Sequence, residues 1–92
     1  MKELENLAQE LGSALLARGE YLTAAESCTG GWLAQSVTAN AGSSAWFDRG
    51  FVTYSNAAKV DMLGVAETTL ERHGAVSAAT ARAMAQGALS HS

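Results

Sequence analysis

The chain has 92 residues, 48% of them apolar, a formal net charge of −3 and one cysteine. That length allows a single small domain whose core leaves little margin; one cysteine excludes an internal disulfide framework and makes no metal site by itself; six scattered Lys and Arg residues argue against nucleic-acid binding by bulk electrostatics. No run approaches the roughly 18–20 apolar residues of a membrane span, and the start, Met1-Lys2-Glu3-Leu4-Glu5, is too acidic for a secretory or mitochondrial leader, so a cytoplasmic protein is expected.

Leu4, Leu7, Ala8, Leu11, Ala14 and Leu15 follow the spacing of an amphipathic helix that Arg18-Gly19 should end. Tyr21 to Ala25 is a short strand, apolar enough to be buried on both faces. The stretch Glu26-Ser27-Cys28-Thr29-Gly30-Gly31 breaks the apolar run, and a second helix, starting near Gly30 and marked by Trp32, Leu33 and Val37, is expected to stop at Gly42. Trp46 to Ser55 holds the aromatic and β-branched residues of a long strand, with Gly50 as a bulge or a close approach. Ser55 and Asn56 cap a short helix carrying Lys59 and closed by Gly64; Glu67 to His73 forms another, ended by Gly74. Ser77 opens the last helix, on which Ala78, Ala81, Met84, Ala85, Ala88 and Leu89 form a narrow packing face; His91 falls in a frayed tail. The fold class is therefore α/β, with helices packed on a sheet of only two strands, which is marginal unless more strands come from a longer chain or from partner subunits.

Strand, tight turn and helix place ligands beyond the carboxyl ends of the strands. If the two strands are parallel neighbours, Ser27, Tyr54 and the first turn of the Asn56 helix share one rim. Small residues in the Ser27 turn let backbone amides approach a bound group, and the helix beyond it aims its unpaired N–H groups there. The same cluster also reads as a plain turn and N-cap. Dinucleotide, phosphate-loop, zinc and G-x-S-x-G motifs are missing, and the two histidines are badly placed for a Ser-His-Asp triad. A serine needs a base, and a lysine or tyrosine serves where histidine is lacking; such a lysine must be neutral at work, which takes burial or a nearby cation. Lys59 lies between Ala58 and Val60, leaving both an apolar pocket and a surface position open. Tyr54 is open between a site role and an edge aromatic. Cys28 is a rival nucleophile near a helix start, ranked below Ser27 because no histidine partners it.

The runs Ala25-Glu26-Ser27-Cys28-Thr29-Gly30-Gly31-Trp32, Gly42-Ser43-Ser44-Ala45-Trp46-Phe47, Gly50-Phe51-Val52-Thr53-Tyr54-Ser55-Asn56-Ala57-Ala58-Lys59 and His73-Gly74-Ala75-Val76-Ser77 resemble, in order, the C-terminal domain of the CinA family. The resemblance implies an α/β/α sandwich and hydrolysis of the carboxamide of nicotinamide mononucleotide to the acid and ammonia, with no metal or other cofactor. It implies Ser27 as nucleophile with Tyr54 and Lys59 assisting. Cys28, Thr29, Gly30, Gly31 and Asn56 form the expected substrate-binding set. The family's domain continues through a glycine-rich loop and further strands without counterpart after Leu89, so residues 1–92 are expected to be the front part of one domain, possessing an exposed sheet edge and a tendency to homo-oligomerise. The expected partner is a small nucleotide, not a membrane or nucleic acid. The rival expectation is a non-catalytic nucleotide-binding or assembly module.

Overall fold

The computed structural model describes residues 2–92. Helix α1, Lys2–Arg18, ends as expected, with Arg18 in its last turn and Gly19 at φ 65°. Its covered stripe is narrower than the leucine spacing suggests. Ala8 and Gly12 are buried, whereas Leu7 is 60% exposed and Leu11 is exposed too.

Strand β1 is Leu22–Glu26 and strand β2 is Phe47–Val52, hydrogen-bonded as a parallel pair. β1 is not buried on both faces along its length: Ala24 and Glu26 are buried, while Leu22, Thr23 and Ala25 are half-buried. Between the strands run α2, Trp32–Thr38, and a single 3₁₀ turn, Ser43–Ala45. The regular part of β2 is shorter than the expected strand, although one bond continues the pairing at each end, from the Leu22 N–H to the Trp46 carbonyl and from the Thr53 N–H to the Glu26 carbonyl.

The irregularity in β2 lies at Asp48, not Gly50. Leu22 pairs with Phe47 but Thr23 pairs with Arg49, so Asp48 is an extra residue. Residues four apart on a strand share a face, yet Phe47 packs with Ala8, Val37 and Trp46 while Phe51 packs with Leu63, Val65, Met84 and Ala88. The inserted residue flips the parity and lets the two phenylalanines serve opposite sides of the sheet. Gly50 keeps regular pairing opposite Ala24, beneath Ala34 of α2.

Three helices follow: α3, Asn56–Leu63; α4, Glu67–His73; α5, Ala78–Ser90. Ser55 caps α3 by accepting from the Ala58 N–H, Gly64 closes it at φ 67°, and Ser77 caps α5 by accepting from the Thr80 N–H. The buried face of α5 is Thr80, Met84, Gly87 and Ala88; Ala81, Ala85 and Leu89 of the expected face are exposed. Gly87 dictates this rotation, since a Cβ there would sit 2.1 Å from the Leu63 carbonyl oxygen. α5 therefore comes closest to α3 at Gly87, the one position of its buried face without a side chain. The tail is tied down rather than frayed: His91 Nδ1 lies 2.7 Å from the Gly87 oxygen, and Arg49 donates to the His91 carbonyl at 3.3 Å.

Candidate active site

Parallel pairing brings the carboxyl ends of β1 and β2 to one edge. The Thr53 N–H donates to the Glu26 carbonyl at 2.8 Å, extending the pairing just past β2. Ser27 and Tyr54, the next residues, then face each other, and Ser27 Oγ donates to the Tyr54 carbonyl at 3.4 Å. The contact is made by the Tyr54 main chain; its side chain belongs to a residue 72% exposed.

Lys59 is buried at 1% exposure, which decides between the two positions its sequence left open. One turn into α3, it folds back and its Nζ donates to the carbonyls of Thr53 at 3.0 Å, Tyr54 at 3.1 Å and Ser55 at 3.5 Å. A buried amine needs partners for its protons, and three successive carbonyls supply them. Ser27 and Lys59 thus share one acceptor, the Tyr54 oxygen.

The Ser27 turn is tight because the Gly30 N–H bonds the Ser27 carbonyl at 3.0 Å, and Gly30 and Gly31 adopt φ of 62° and 109°, where a Cβ is strained. α2 begins at Trp32, later than expected, with Gly31 as an N-cap lacking any side-chain bond. The cap comes instead from Glu26, 3% exposed, whose carboxylate accepts from Thr29 Oγ1 at 2.8 Å, the Leu33 N–H at 2.8 Å and the Ala34 N–H at 3.0 Å. Burial raises the Glu26 pKa, but the bonds from Ala34, Leu33, Thr29 and Gly31 outweigh it and hold the carboxyl below its ordinary value of 4.5. The first-turn amides of α2 at Leu33 and Ala34 therefore face an internal anion. The expectation that this helix start presents them to a bound group gives way to that arrangement.

A cleft of about 470 Å³ opens beside Ser27. Cys28, Thr29 and Leu33 line one side; Ala75, Val76, Ser77, Ala81 and Met84 line the other. Its walls are mostly apolar, and none of its lining residues is basic. Of the expected binding residues, Cys28 and Thr29 reach the cleft, although the Thr29 hydroxyl is turned to Glu26. Gly30 and Gly31 shape the turn without lining the cleft, and Asn56 lines a separate depression between α3 and α4 with Asp61, Glu67 and Glu71. Cys28 is exposed. Among the described residues no group of three His, Cys, Asp or Glu could hold a metal ion.

Sequence reading missed two contributors. Glu26 had a signal, an acidic residue ending an apolar strand two positions after Ala24, on the same face. The Ala75–Ser77 segment stood out only as a cap at Ser77 and as part of a run shared with the family, with nothing to place it near Ser27, because only the packing of α5 against β1 brings it over the turn.

The family model for the CinA C-terminal domain matches residues 4–92. The nicotinamide-nucleotide amidohydrolase PncC of Enterobacter agglomerans is 60% identical over 88 residues, 96% of this chain and 54% of that protein. The protein of the same name from Escherichia coli K12 is 61% identical over 87 residues, 95% of this chain and 53% of its own length. The chain spans about half the length of these curated relatives. Among solved structures, a CinA-superfamily protein from Escherichia coli superposes with a TM-score of 0.94 at 42% identity, covering 97% of this chain and 52% of that one. The competence/damage-inducible protein CihA from Agrobacterium tumefaciens gives 0.91 at 53% identity, over 95% and 53%.

Proposed function

The chain belongs to the CinA C-terminal domain family, and from that premise we propose that it forms the nucleophile-bearing half of an amidohydrolase acting on the carboxamide of nicotinamide mononucleotide. Ser27 is the nucleophile in this reading, and Tyr54 and Lys59 are its assistants. The observation that carries it is the shared Tyr54 carbonyl, which holds Ser27 Oγ on one side and the buried Lys59 amine on the other, at the edge of a cleft.

In the proposed reaction Lys59 works as the neutral amine, one of its three carbonyl bonds given up to free its lone pair; Ser27 Oγ adds to the amide carbon and gives up its proton to the Lys59/Tyr54 pair. The tetrahedral intermediate returns a proton from that pair to the nitrogen, and the C–N bond breaks with release of ammonia. Water then adds to the serine ester and frees the carboxylic acid and the serine, so one amide and one water give one acid and one ammonia. Oxyanion donors in such sites are each worth about 3 kcal/mol; the Cys28 and Thr29 amides, in the turn that lines the cleft, are the candidates. The cleft's apolar walls, with no basic residue among them, suit the flat pyridinium ring that bears the amide.

A non-catalytic phosphate-gripping module is the weaker reading, because Glu26 holds the Leu33 and Ala34 amides that would receive the anion. Self-association fits the exposure of Leu7, Leu11 and Trp32, and a native mass above the monomer is its test. No helix among the described residues is long and apolar enough to cross a membrane; a cytoplasmic setting is part of the proposal. The deciding experiment is ammonia release from nicotinamide mononucleotide by this chain and by Ser27→Ala. Turnover lost in the variant, at an unchanged melting temperature, supports the reading. Equal turnover in both removes Ser27 as nucleophile.

A further inference from the structure

We infer that Glu26 is a positioning residue for Ser27, closing the nucleophile's turn into a ring and locking that ring to the end of β2. The inference rests on Ser27 being the nucleophile but adds a residue that does not touch the reacting atoms.

Helix starts are usually capped by the Ncap residue itself, with a Ser, Thr, Asp or Asn side chain. Here the Ncap is Gly31, and the capping group arrives from the last residue of β1, five positions earlier. A local cap would satisfy the same amides and leave the turn free. A cap from Glu26 encloses Ser27 to Trp32 between two fixed points. Thr29, midway round, is tied to the same carboxylate, so the loop is also braced across its middle.

The main chain of Glu26 makes the second connection. Its carbonyl accepts the Thr53 N–H at 2.8 Å and faces the Thr53 hydroxyl at 3.4 Å. Thr53, fully buried, is followed by Tyr54, whose carbonyl receives the Ser27 hydroxyl. Glu26 therefore holds both sides of the Ser27 contact, the turn through its side chain and the acceptor strand through its backbone. Burying a carboxylate is unfavourable unless it is fully hydrogen-bonded, and each of these bonds falls on the machinery around Ser27.

The test compares Glu26→Gln and Glu26→Asp with the unsubstituted 92-residue chain. The glutamine keeps the shape but sets an NH₂ group against an amide; the aspartate keeps the charge but is one methylene short. The first measurement is the amide NMR spectrum well below each variant's melting temperature. The expected result in Glu26→Gln is displacement of the Ser27, Cys28 and Tyr54 resonances as well as those of Leu33 and Ala34, with only partial return in Glu26→Asp. Resonances moved at Leu33 and Ala34 alone would overturn the inference, since that is what a plain helix cap does. A variant that fails to fold is replaced by Thr29→Val, which removes one brace and should move Ser27 and Cys28 in the same direction; unmoved resonances there count equally against the inference. The second measurement is turnover of nicotinamide mononucleotide, where kcat should fall at least tenfold with KM within twofold. A fall in KM-dependent binding alone would also overturn it. If the unsubstituted chain shows no turnover, these residues alone do not make the complete amidohydrolase, and the resonances still decide the role of Glu26.

Discussion

The two sides of the sheet are built on opposite terms. Ala8, Val37 and Trp46 form a small apolar cluster under α1 and α2, bordered by exposed leucines. On the other side Leu63, Val65, Met84 and Ala88 pack together, and the fully buried polar residues Thr53, Lys59 and Thr80 lie in α3, in α5 and in the segment joining β2 to α3. Each side also relies on a glycine for close approach, but against different material. A Cβ on Gly12 would lie 2.5 Å from the Trp46 ring, whereas one on Gly87 would lie 2.1 Å from a backbone oxygen. A ring can tilt within its pocket; the carbonyl of Leu63, at the end of α3, is backbone and moves only with the chain around it. The side that carries Lys59 is thus the less tolerant one, and the comparison can be broken or sharpened by substitution.

The largest expected effect is Trp46→Ala, which empties the centre of the first cluster and should lower stability by about 3–5 kcal/mol in urea unfolding. A loss under about 1 kcal/mol would mean that the cluster does not hold α1 in place. Gly87→Ala should follow at about 3 kcal/mol, the upper range for overpacking, because α5 must lift from α3. Gly12→Ala should lose only about 1–2 kcal/mol, part of the clash being offset by better helix propensity. Finding Gly12 more sensitive than Gly87 would reverse the comparison. Ser77→Ala, which deletes the α5 cap, should remove about 1 kcal/mol. Smallest is a pH effect at Glu26. Its folded pKa is depressed, so its contribution is fully present above the ordinary value of 4.5 and is lost as pH falls through the lower folded value. Acid melting curves should show this limb flattened in Glu26→Gln; identical limbs would contradict the bonding described.

Local chemistry was legible in the sequence and long-range geometry was not. Ser55, Gly64, Ser77 and Gly19 announced helix ends because a cap or a positive φ is decided within a few residues. The pairing of Ser27 with the Tyr54 segment followed once two strands were taken as parallel neighbours. The α5 face was misjudged because alanine spacing says nothing about Gly87, whose meaning depends on a carbonyl in another helix. Gly50 reads in the sequence as a bulge or a close approach, and the bulge falls at Asp48 instead, since parity is set by which cluster each phenylalanine must reach. At Tyr54 the sequence leaves a site role and an edge aromatic open, and the contact with Ser27 is made by the peptide carbonyl, which no side-chain pattern announces.

The crossover from β1 to β2 also sets a clock. Ser27 and the carbonyl it bonds are 27 residues apart in the chain, and parallel pairing over such a separation closes slowly compared with a helix turn. Lys59 needs only its near neighbours to find its three carbonyls. The lysine's nest can thus assemble early and wait, while the serine becomes ordered only when the strands meet. Folding kinetics express this as a φ-value higher for Lys59→Met than for Thr23→Ala, whose residue lies in the sheet. A newly made chain would then leave Ser27 unordered until the two strands meet.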